Sequence, residues 1–438
     1  MSHVPLTGTD APPHVARLIA IVLFISTFVA FHDLSFPQSL ITGTVSDERM
    51  LADNAADGSV LRQLFIPPIG LLGSYLLAQR WHRFSAMSSL GLVLVVYVAW
   101  AVLSLSWSET PDLTLRRLSV FLILIIGAVG VATLGTGTIR NIVVFLMLAN
   151  LGVGFLNELR LGTFTPFSAD YRFSGTVHPN LQASVMAQMA IAGLAGLLEP
   201  SGRRRPTPLA LFLLGAAVVL MTQSRTSLIC LSLTSLFMVV LWSWRRAGAA
   251  LLLVVALLGV TASVVMLSEA VSPQTSAVSG VLSALEKPRD EGNIGSLTGR
   301  TDIWETCISL AMARPASGVG FESFWTPQRI MEISALHQWG INQAHSTYIE
   351  HLVSLGLIGL GLWVLVLGLG LGAAVRHYAA ARSADALWMA GFIAFSVAHG
   401  FNESINIMPE FGGFVLILIL SHLAWQRNPT EEGTRCPE

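Results

Sequence analysis

Long runs of apolar residues, separated by short polar stretches, dominate the chain. A helix that crosses a bilayer needs about 20 mostly apolar residues, and many of these runs have this length or come close to it. We predict helices at residues 15–33, 61–79, 89–106, 118–136, 139–156, 180–198, 207–221, 226–243, 248–268, 344–375, 385–400 and 409–425. The pattern therefore predicts an all-α polytopic membrane protein with about twelve transmembrane helices.

The composition agrees with this prediction. Of the 438 residues, 53% are hydrophobic and 12% are charged, whereas soluble domains carry about 25% charged residues. The net charge of -1 argues against a partner nucleic acid. Cys230, Cys307 and Cys436 lie far apart without metal-site spacing, so neither a disulfide framework nor a cysteine-based zinc site is expected.

A single membrane domain, residues 1–438, is expected, because no repeat and no low-complexity linker divides the chain. The first apolar run follows a polar segment and precedes no small-x-small cleavage site. We therefore interpret it as an uncleaved first membrane helix.

The arginines predict the orientation of the helices, because cytoplasmic loops carry an excess of basic residues. An even number of helices puts both termini on one side, and the basic residues identify that side as the cytoplasm. The inner positions are then Arg17, Arg80, Arg83, Arg140, Arg203, Arg204, Arg205, Arg245, Arg246, Arg376, Arg382, Arg427 and Arg435. The longest polar stretch, residues 269–343, falls on the outer face between the ninth and tenth predicted helices.

The stretch MTQSRTSL, residues 221–228, predicts a tight outer hairpin between two apolar helices. Arg225 stands at the start of the second helix. It could anchor that helix end by placing its charged group in water. Its guanidinium also presents a planar fork of donors that suits phosphate oxygens.

The stretch LTGRTDIWETCISLAMARP, residues 297–315, predicts a short amphipathic helix that begins near Asp302, because Asp302 and Glu305 have the spacing of a capping box. Arg300 would then stand just before the helix. A helix start with a neighbouring guanidinium could hold a pyrophosphate. The alternative is a solvated loop arginine beside an interfacial helix.

The stretch YRFSGTVHPNLQAS, residues 171–184, places Arg172, His178 and Asn180 just outside the sixth predicted helix. Pro179 is suited to the first position of a helix, because its missing N–H has no partner there in any case. His178 fits a structural loop residue as well as it fits a ligand.

The stretch AHSTYIEH, residues 344–351, opens the tenth predicted helix. An uninterrupted helix over 344–375 would measure about 48 Å, whereas the hydrocarbon core is only about 30 Å thick. His345 is thus expected at the outer surface, within reach of polar substrates or as an interfacial anchor. His351 is expected on a different helix face, and no two-histidine zinc spacing occurs.

Four aromatic residues of the outer stretch, Phe321, Phe324, Trp325 and Trp339, could stack on sugar rings. An interfacial aromatic belt explains them as well, and we favour that interpretation.

Outer arginines beside a histidine suggest one chemistry. Arginines can hold a pyrophosphate without a metal ion, and a neutral histidine can take a proton from a hydroxyl. The motifs RFSGTVHPN, SRTSL, GRTDIWETCISLAMARPASGVGFESF and AHSTYIEHLVSLGLIGL then occur in an order that resembles the O-antigen ligase and polymerase superfamily of bacterial envelope proteins.

The resemblance implies a multi-pass protein of the bacterial inner membrane with a large periplasmic loop containing short helices, both termini in the cytoplasm and a periplasmic active site. The donor would be a glycan on undecaprenyl pyrophosphate. By the resemblance, Arg225, Arg300 and Arg172 bind the pyrophosphate and His345 activates the acceptor hydroxyl. The resemblance also implies a metal-independent, inverting glycosyl transfer without a cofactor. The absence of Asp-x-Asp pairs from the predicted outer loops agrees with metal independence, because arginines would stabilise the leaving pyrophosphate in place of a divalent ion.

The superfamily includes ligases that use lipid A-core as the acceptor, polymerases that extend a growing glycan, and proteins that glycosylate protein hydroxyls. We expect an O-antigen ligase, with an O-antigen or exopolysaccharide polymerase as the alternative. A polysaccharide transporter or flippase is the alternative from another class. Transporters place ionisable residues near the bilayer midplane, whereas the charges of this chain cluster at predicted helix ends.

Overall fold

The structure, a computed structural model, describes residues 12–36, 38, 48–57, 59–80, 88–168, 171–199, 206–243, 297–404 and 410–425. These residues are mostly helical and include no strand, which confirms the all-α prediction. The helices are α1 Pro13–Phe31, α2 Glu48–Asp57, α3 Val60–Phe65, α4 Pro67–Arg80, α5 Ser89–Leu103, α6 Pro111–Ala132, α7 Thr136–Leu161, α8 Pro179–Leu197, α9 Pro206–Met221, α10 Arg225–Ser243, α11 Leu297–Ala311, α12 Pro327–His337, α13 Thr347–Ala381, α14 Ala384–His399 and α15 Phe411–Trp425.

Six described helices are long and apolar enough to cross a membrane: α1, α5 with the 3₁₀ turn that follows it, α6, α7, α10 and α13. The helix predicted at 248–268 lies outside the described residues, as does part of the stretch 269–343. The number of twelve membrane helices therefore stays a prediction.

The helix predicted at 61–79 is not continuous. It is divided between α3 and α4, and the helical stretch Glu48–Phe65 and α4 meet at a bend of 46°. Proline explains the break, because Pro67 has no N–H to donate within a helix and its ring crowds the preceding turn.

Two helices, α8 and α15, form the centre of the fold. Almost every residue of both is buried, which is the pattern of a helix surrounded by others. α8 packs against α9, α10 and α14, while α15 packs against α5 and α6. The first turn of α8 carries Asn180, so the core positions one of the polar residues described below.

The helix predicted at 344–375 is broken at Gly356, which corrects the expectation of an uninterrupted helix. Gly356 has φ 69° and ψ -170°, a conformation that is open to glycine and strained for other residues. A Cβ at this position would lie 2.3 Å from the carbonyl of Ala316. The break and the close approach both require glycine here.

The loop that follows α11 satisfies the backbone groups that the break releases. The N–H groups of Val319 and Gly320 donate to the carbonyls of Val353 and Ser354, at 3.1 and 2.9 Å. In return, the N–H of Leu357 donates to the carbonyl of Pro315 at 2.8 Å. Since buried backbone groups need partners, the motifs ASGVGF and SLGLIGL form one unit that fixes the first two turns of α13.

α11 and α12 pack on this unit through their own apolar cluster. Ile303, Cys307 and Ala311 lie on one buried face of α11, which agrees with the amphipathic helix predicted there. The start of α11 was predicted wrongly, because the helix begins at Leu297 and not near Asp302. Arg300 therefore lies inside the first turn of α11. It is not a loop residue that precedes the helix, as the sequence predicted.

The aromatic-belt interpretation is wrong for three of the four residues. Phe321, Phe324 and Trp325 are buried within the protein, and the indole N–H of Trp325 donates to the carboxylate of Glu350 at 2.9 and 3.0 Å. Buried rings in contact with protein cannot line a membrane interface or stack on a sugar. Phe324 and Trp325 belong to the apolar cluster that packs α11, which carries Arg300.

Candidate functional site

Glu403, in the loop that follows α14, collects three of the polar residues around it. Its side chain is almost fully buried, with 3% of the residue exposed. Its Oε1 accepts from Nη2 of Arg300 at 2.7 Å and from Nδ2 of Asn180 at 2.8 Å. Its Oε2 lies 3.7 Å from Nδ1 of His345, which is an ion-pair distance and too long for a hydrogen bond.

The charge on Glu403 is fixed by its neighbours. Burial on its own would raise the pKa of this carboxyl, but His345 and Arg300 outweigh burial and lower the pKa of Glu403 to about 2. The carboxylate is therefore ionised at any physiological pH. It faces an imidazole on one side and a guanidinium on the other.

Arg172 joins the same group through Asn180. Its Nη2 donates to Oδ1 of Asn180 at 3.0 Å, and its Nε donates to the carbonyl of Thr222 at 3.0 Å. The carboxamide of Asn180 thus connects Arg172 to Glu403. We call Arg172, Asn180, Arg300, His345 and Glu403 the Glu403 cluster.

The structure assigns His178 a structural role. Its Nδ1 accepts from the backbone N–H of Asn180 at 3.2 Å and caps α8, whose first residue is Pro179 as the sequence predicted. Burial lowers the pKa of His178 to about 4, so the imidazole is neutral. His178 positions the first turn of α8, and with it Asn180.

His345 is held at the start of α13 by contacts to the loop after α14. The N–H of Thr347 donates to the carbonyl of Gly400 at 2.9 Å, and the hydroxyl of Thr347 donates to the carbonyl of Glu403 at 3.0 Å. The His345 side chain is 18% exposed. A substrate can therefore reach it, but it is more buried than the predicted position at the outer surface implies. These contacts explain why an imidazole and a carboxylate that are distant in sequence face each other.

Arg225 lies on α10, a helix that contacts the end of α14. It is the first residue of α10, as predicted, and its side chain is exposed. Two residues later, the hydroxyl of Ser227 lies 3.0 Å from Nε2 of His399, the last residue of α14. The start of α10 is therefore beside the segment that leads into Glu403.

Sequence reasoning missed Asn180 as a bridging residue and missed Glu403 entirely. A usable signal exists, because Glu403 is the first charged residue after the apolar α14 and stands at a predicted outer helix end. Within the described ranges, no three His, Cys, Asp or Glu side chains converge in a way that could hold a metal ion.

Comparison with known proteins extends this picture. A family model described as O-antigen ligase (Wzy_C) matches residues 210–364. The exopolysaccharide production protein ExoQ of Rhizobium meliloti (strain 1021) is 26% identical to this chain over 354 residues, which covers 77% of the chain and 78% of ExoQ. The chain is therefore similar to the O-antigen ligase superfamily in both comparisons. This confirms the resemblance found in the motifs.

This similarity and the apolar helices support an integral bacterial membrane protein, and the similarity suggests a glycosyltransferase-like activity on lipid-linked glycans. The matched residues 210–364 include Arg225, Arg300 and His345. Arg172 and Glu403 lie outside that range and join these residues through the contacts described above.

Proposed function

We propose that this protein transfers a glycan from undecaprenyl pyrophosphate to an acceptor hydroxyl at the periplasmic face of the inner membrane. The observation that supports this best is the placement of His345 and Arg300 on the two oxygens of one buried carboxylate. This arrangement offers a proton acceptor and an anion-binding group side by side, as a transfer with a pyrophosphate leaving group requires.

In the proposed mechanism, His345 is the general base. With its Nδ1–H turned toward Glu403, the imidazole presents Nε2 as the proton acceptor. As Nε2 takes the hydroxyl proton, the acceptor oxygen attacks the anomeric carbon. The bond from that carbon to the pyrophosphate oxygen breaks, so one displacement inverts the configuration. Glu403 is a positioning residue that stabilises the imidazolium produced.

The arginines stabilise the negative charge that develops on the leaving pyrophosphate. Arg300 uses Nη1 toward the carbonyl of Asn402 and Nη2 toward Glu403, but a guanidinium has five N–H donors. Arg172 adds a further positive charge through Asn180, and we propose that Arg225, at the start of the neighbouring α10, adds another when the donor binds. Cationic donors fixed in advance are effective because they need no reorganisation as charge develops. The arginines would thus stabilise the leaving pyrophosphate in place of a divalent ion.

The periplasmic orientation is supported by the arginines of the predicted inner loops and by the common location of the proposed site residues. His345 stands two residues before α13, and Arg382 follows the other end of that helix. The positive-inside rule places Arg382 in the cytoplasm and His345 outside.

A matched pair of cysteine variants tests this orientation. Ala335→Cys in α12 and Ala381→Cys at the end of α13 both occupy exposed positions. We expect Ala335→Cys to react with a membrane-impermeant maleimide in cells with a permeabilised outer membrane, and Ala381→Cys to react only after lysis. The parent chain measures background labelling, and the reverse pattern would invert the orientation.

Two acceptors are supported by different observations. The family description favours a ligase that uses lipid A-core. The similarity to ExoQ over 77% of the chain favours exopolysaccharide polymerisation, in which the acceptor is the growing glycan. The cluster serves both reactions, because each transfers a glycan to a sugar hydroxyl.

Reconstitution of the purified protein in liposomes tests the function. Undecaprenyl-pyrophosphate-linked glycan is supplied with lipid A-core or with a second lipid-linked glycan, in the presence of EDTA. A ligase should produce glycosylated lipid A-core, and a polymerase should produce longer lipid-linked chains. If neither product forms, or if transfer stops in EDTA and returns with magnesium, the proposal fails in its function or in its metal independence.

A further inference from the structure

A second polar pocket opens beside the Glu403 cluster, on the other side of the first turn of α8. It has an empty volume of about 470 Å³, part of which is open to solvent. Asn150 of α7, Gln182 of α8 and Glu410 before α15 line it, together with the rings of Phe31 and Phe411. Pockets for small ligands combine apolar walls with a few polar groups.

Three buried polar atoms of this pocket have no hydrogen-bond partner in the described structure: Oδ1 of Asn150, Nε2 of Gln182 and Oε2 of Glu410. Asn150 and Gln182 are each only 2% exposed. Leaving a buried polar group without a partner costs free energy. Polar atoms that converge on one pocket are therefore suited to a ligand that can bond with all of them.

The mixture of groups identifies the class of ligand. Carboxamides both donate and accept hydrogen bonds, and the carboxyl of Glu410 and the guanidinium of Arg62 line the same pocket. A phosphate group offers acceptors only, so it could bond to Arg62 but not to the unpartnered Oδ1 of Asn150, and a lipid chain offers neither donors nor acceptors. Sugar hydroxyls both donate and accept, and the carbon face of a sugar ring can pack on Phe31 or Phe411.

The pocket and the Glu403 cluster share one helix. Asn180 bonds to Glu403, whereas Gln182, two residues later on α8, lines the pocket. On the pocket side, the hydroxyl of Thr176 lies 2.7 Å from Nδ1 of His32. Because Asn180 and Gln182 are two residues apart on one helix, the cluster and the pocket are neighbouring sites.

We propose that this pocket binds a sugar residue of the glycan substrate, as a subsite next to the transfer site. The inference rests on the proposed function for the identity of the ligand as a glycan. The ring would pack on an aromatic side chain, and its hydroxyls would bond to Asn150, Gln182 and Glu410. The subsite would select the glycan independently of its pyrophosphate.

The test is a titration of the purified protein with the repeat-unit oligosaccharide that mild acid releases from the bacterium's own lipid-linked glycan. Gln182→Met and Asn150→Leu keep roughly the side-chain volume and remove the hydrogen-bonding groups. Each variant should weaken oligosaccharide binding about fivefold to tenfold, the effect of one lost hydrogen bond. Oδ1 of Asn150 and Nε2 of Gln182 have no described partner to lose, and thermal unfolding of each variant checks that it is folded.

Gln188→Met is the matched control. Gln188 is on the same helix, fully buried and equally without hydrogen-bond partners, but it does not line the pocket. This variant should bind the oligosaccharide like the parent. Equal binding by Gln182→Met and the parent, or no binding by the parent, would overturn the subsite.

Undecaprenyl pyrophosphate without a sugar separates this inference from the proposed function. It should bind equally to the parent and to Gln182→Met, because it has no sugar to place in the pocket. If the oligosaccharide titration succeeds while undecaprenyl pyrophosphate does not bind, the subsite stands and the proposed donor fails. The reverse result removes the subsite and leaves the donor.

Discussion

His345→Ala should lose glycan transfer by about 100- to 10,000-fold, the usual contribution of a general base. The variant should still bind the undecaprenyl-pyrophosphate donor, because Arg172, Arg225 and Arg300 remain. The measurement is donor affinity and initial transfer rate, determined side by side on purified parent and variant.

His351→Ala is the control for this prediction. His351 is buried; its Nε2 accepts from the hydroxyl of Tyr97 at 2.9 Å, and its Nδ1 donates to the carbonyl of Thr347 at 2.7 Å. We expect its loss to reduce thermal stability and to affect transfer much less per folded molecule. A parental transfer rate in His345→Ala would show that the base lies elsewhere.

Substitution of Arg300 should have the second large effect, on both donor binding and folding. Arg300→Ala leaves Glu403 as a buried charge without its main cationic partner, and breaking such a pair typically costs about 3–5 kcal/mol. Arg300→Lys keeps the positive charge but loses the planar fork. It should fold and bind the lipid-linked donor at least about tenfold more weakly, as measured by titration.

A double variant separates these two roles. Arg300→Gln combined with Glu403→Gln removes both charges, so we expect the unfolding temperature to recover toward that of the parent. Donor affinity should stay low, because the guanidinium is still absent. If the stable double variant binds the donor with the affinity of the parent, Arg300 serves only as the structural ion-pair partner of Glu403.

The sequence predicted the helices well and their interruptions poorly. Apolar length and periodicity are local properties, and they located most of the described membrane helices. The break at Gly356 was missed because it depends on hydrogen bonds from the loop around Val319 and Gly320, which contacts α13 only in the folded chain. The start of α11 was missed because the capping-box spacing of Asp302 and Glu305 does not force the helix to begin there. The helix extends further toward the N-terminus, to Leu297.

The candidate site was predicted in part for the same reason. Arg172, Arg300 and His345 attract attention as polar residues at predicted outer helix ends, but no local pattern reports that they meet. Glu403, which joins them, stands alone in its segment, and its partners Arg300 and Asn180 are 103 and 223 positions away in sequence. Such a contact follows from the packing of α8, α11 and α14 and cannot be read from any one stretch.

The central claim is that this protein breaks the bond between the glycan and its pyrophosphate carrier, and does not move the lipid-linked glycan intact. The most direct measurement is the amount of undecaprenyl pyrophosphate released for each glycosidic bond formed by the reconstituted parent in EDTA. We predict a ratio of about one to one, with both quantities falling together in His345→Ala. Glycan that crosses the liposome membrane on an intact carrier, without release of undecaprenyl pyrophosphate, would contradict the account and identify a transporter.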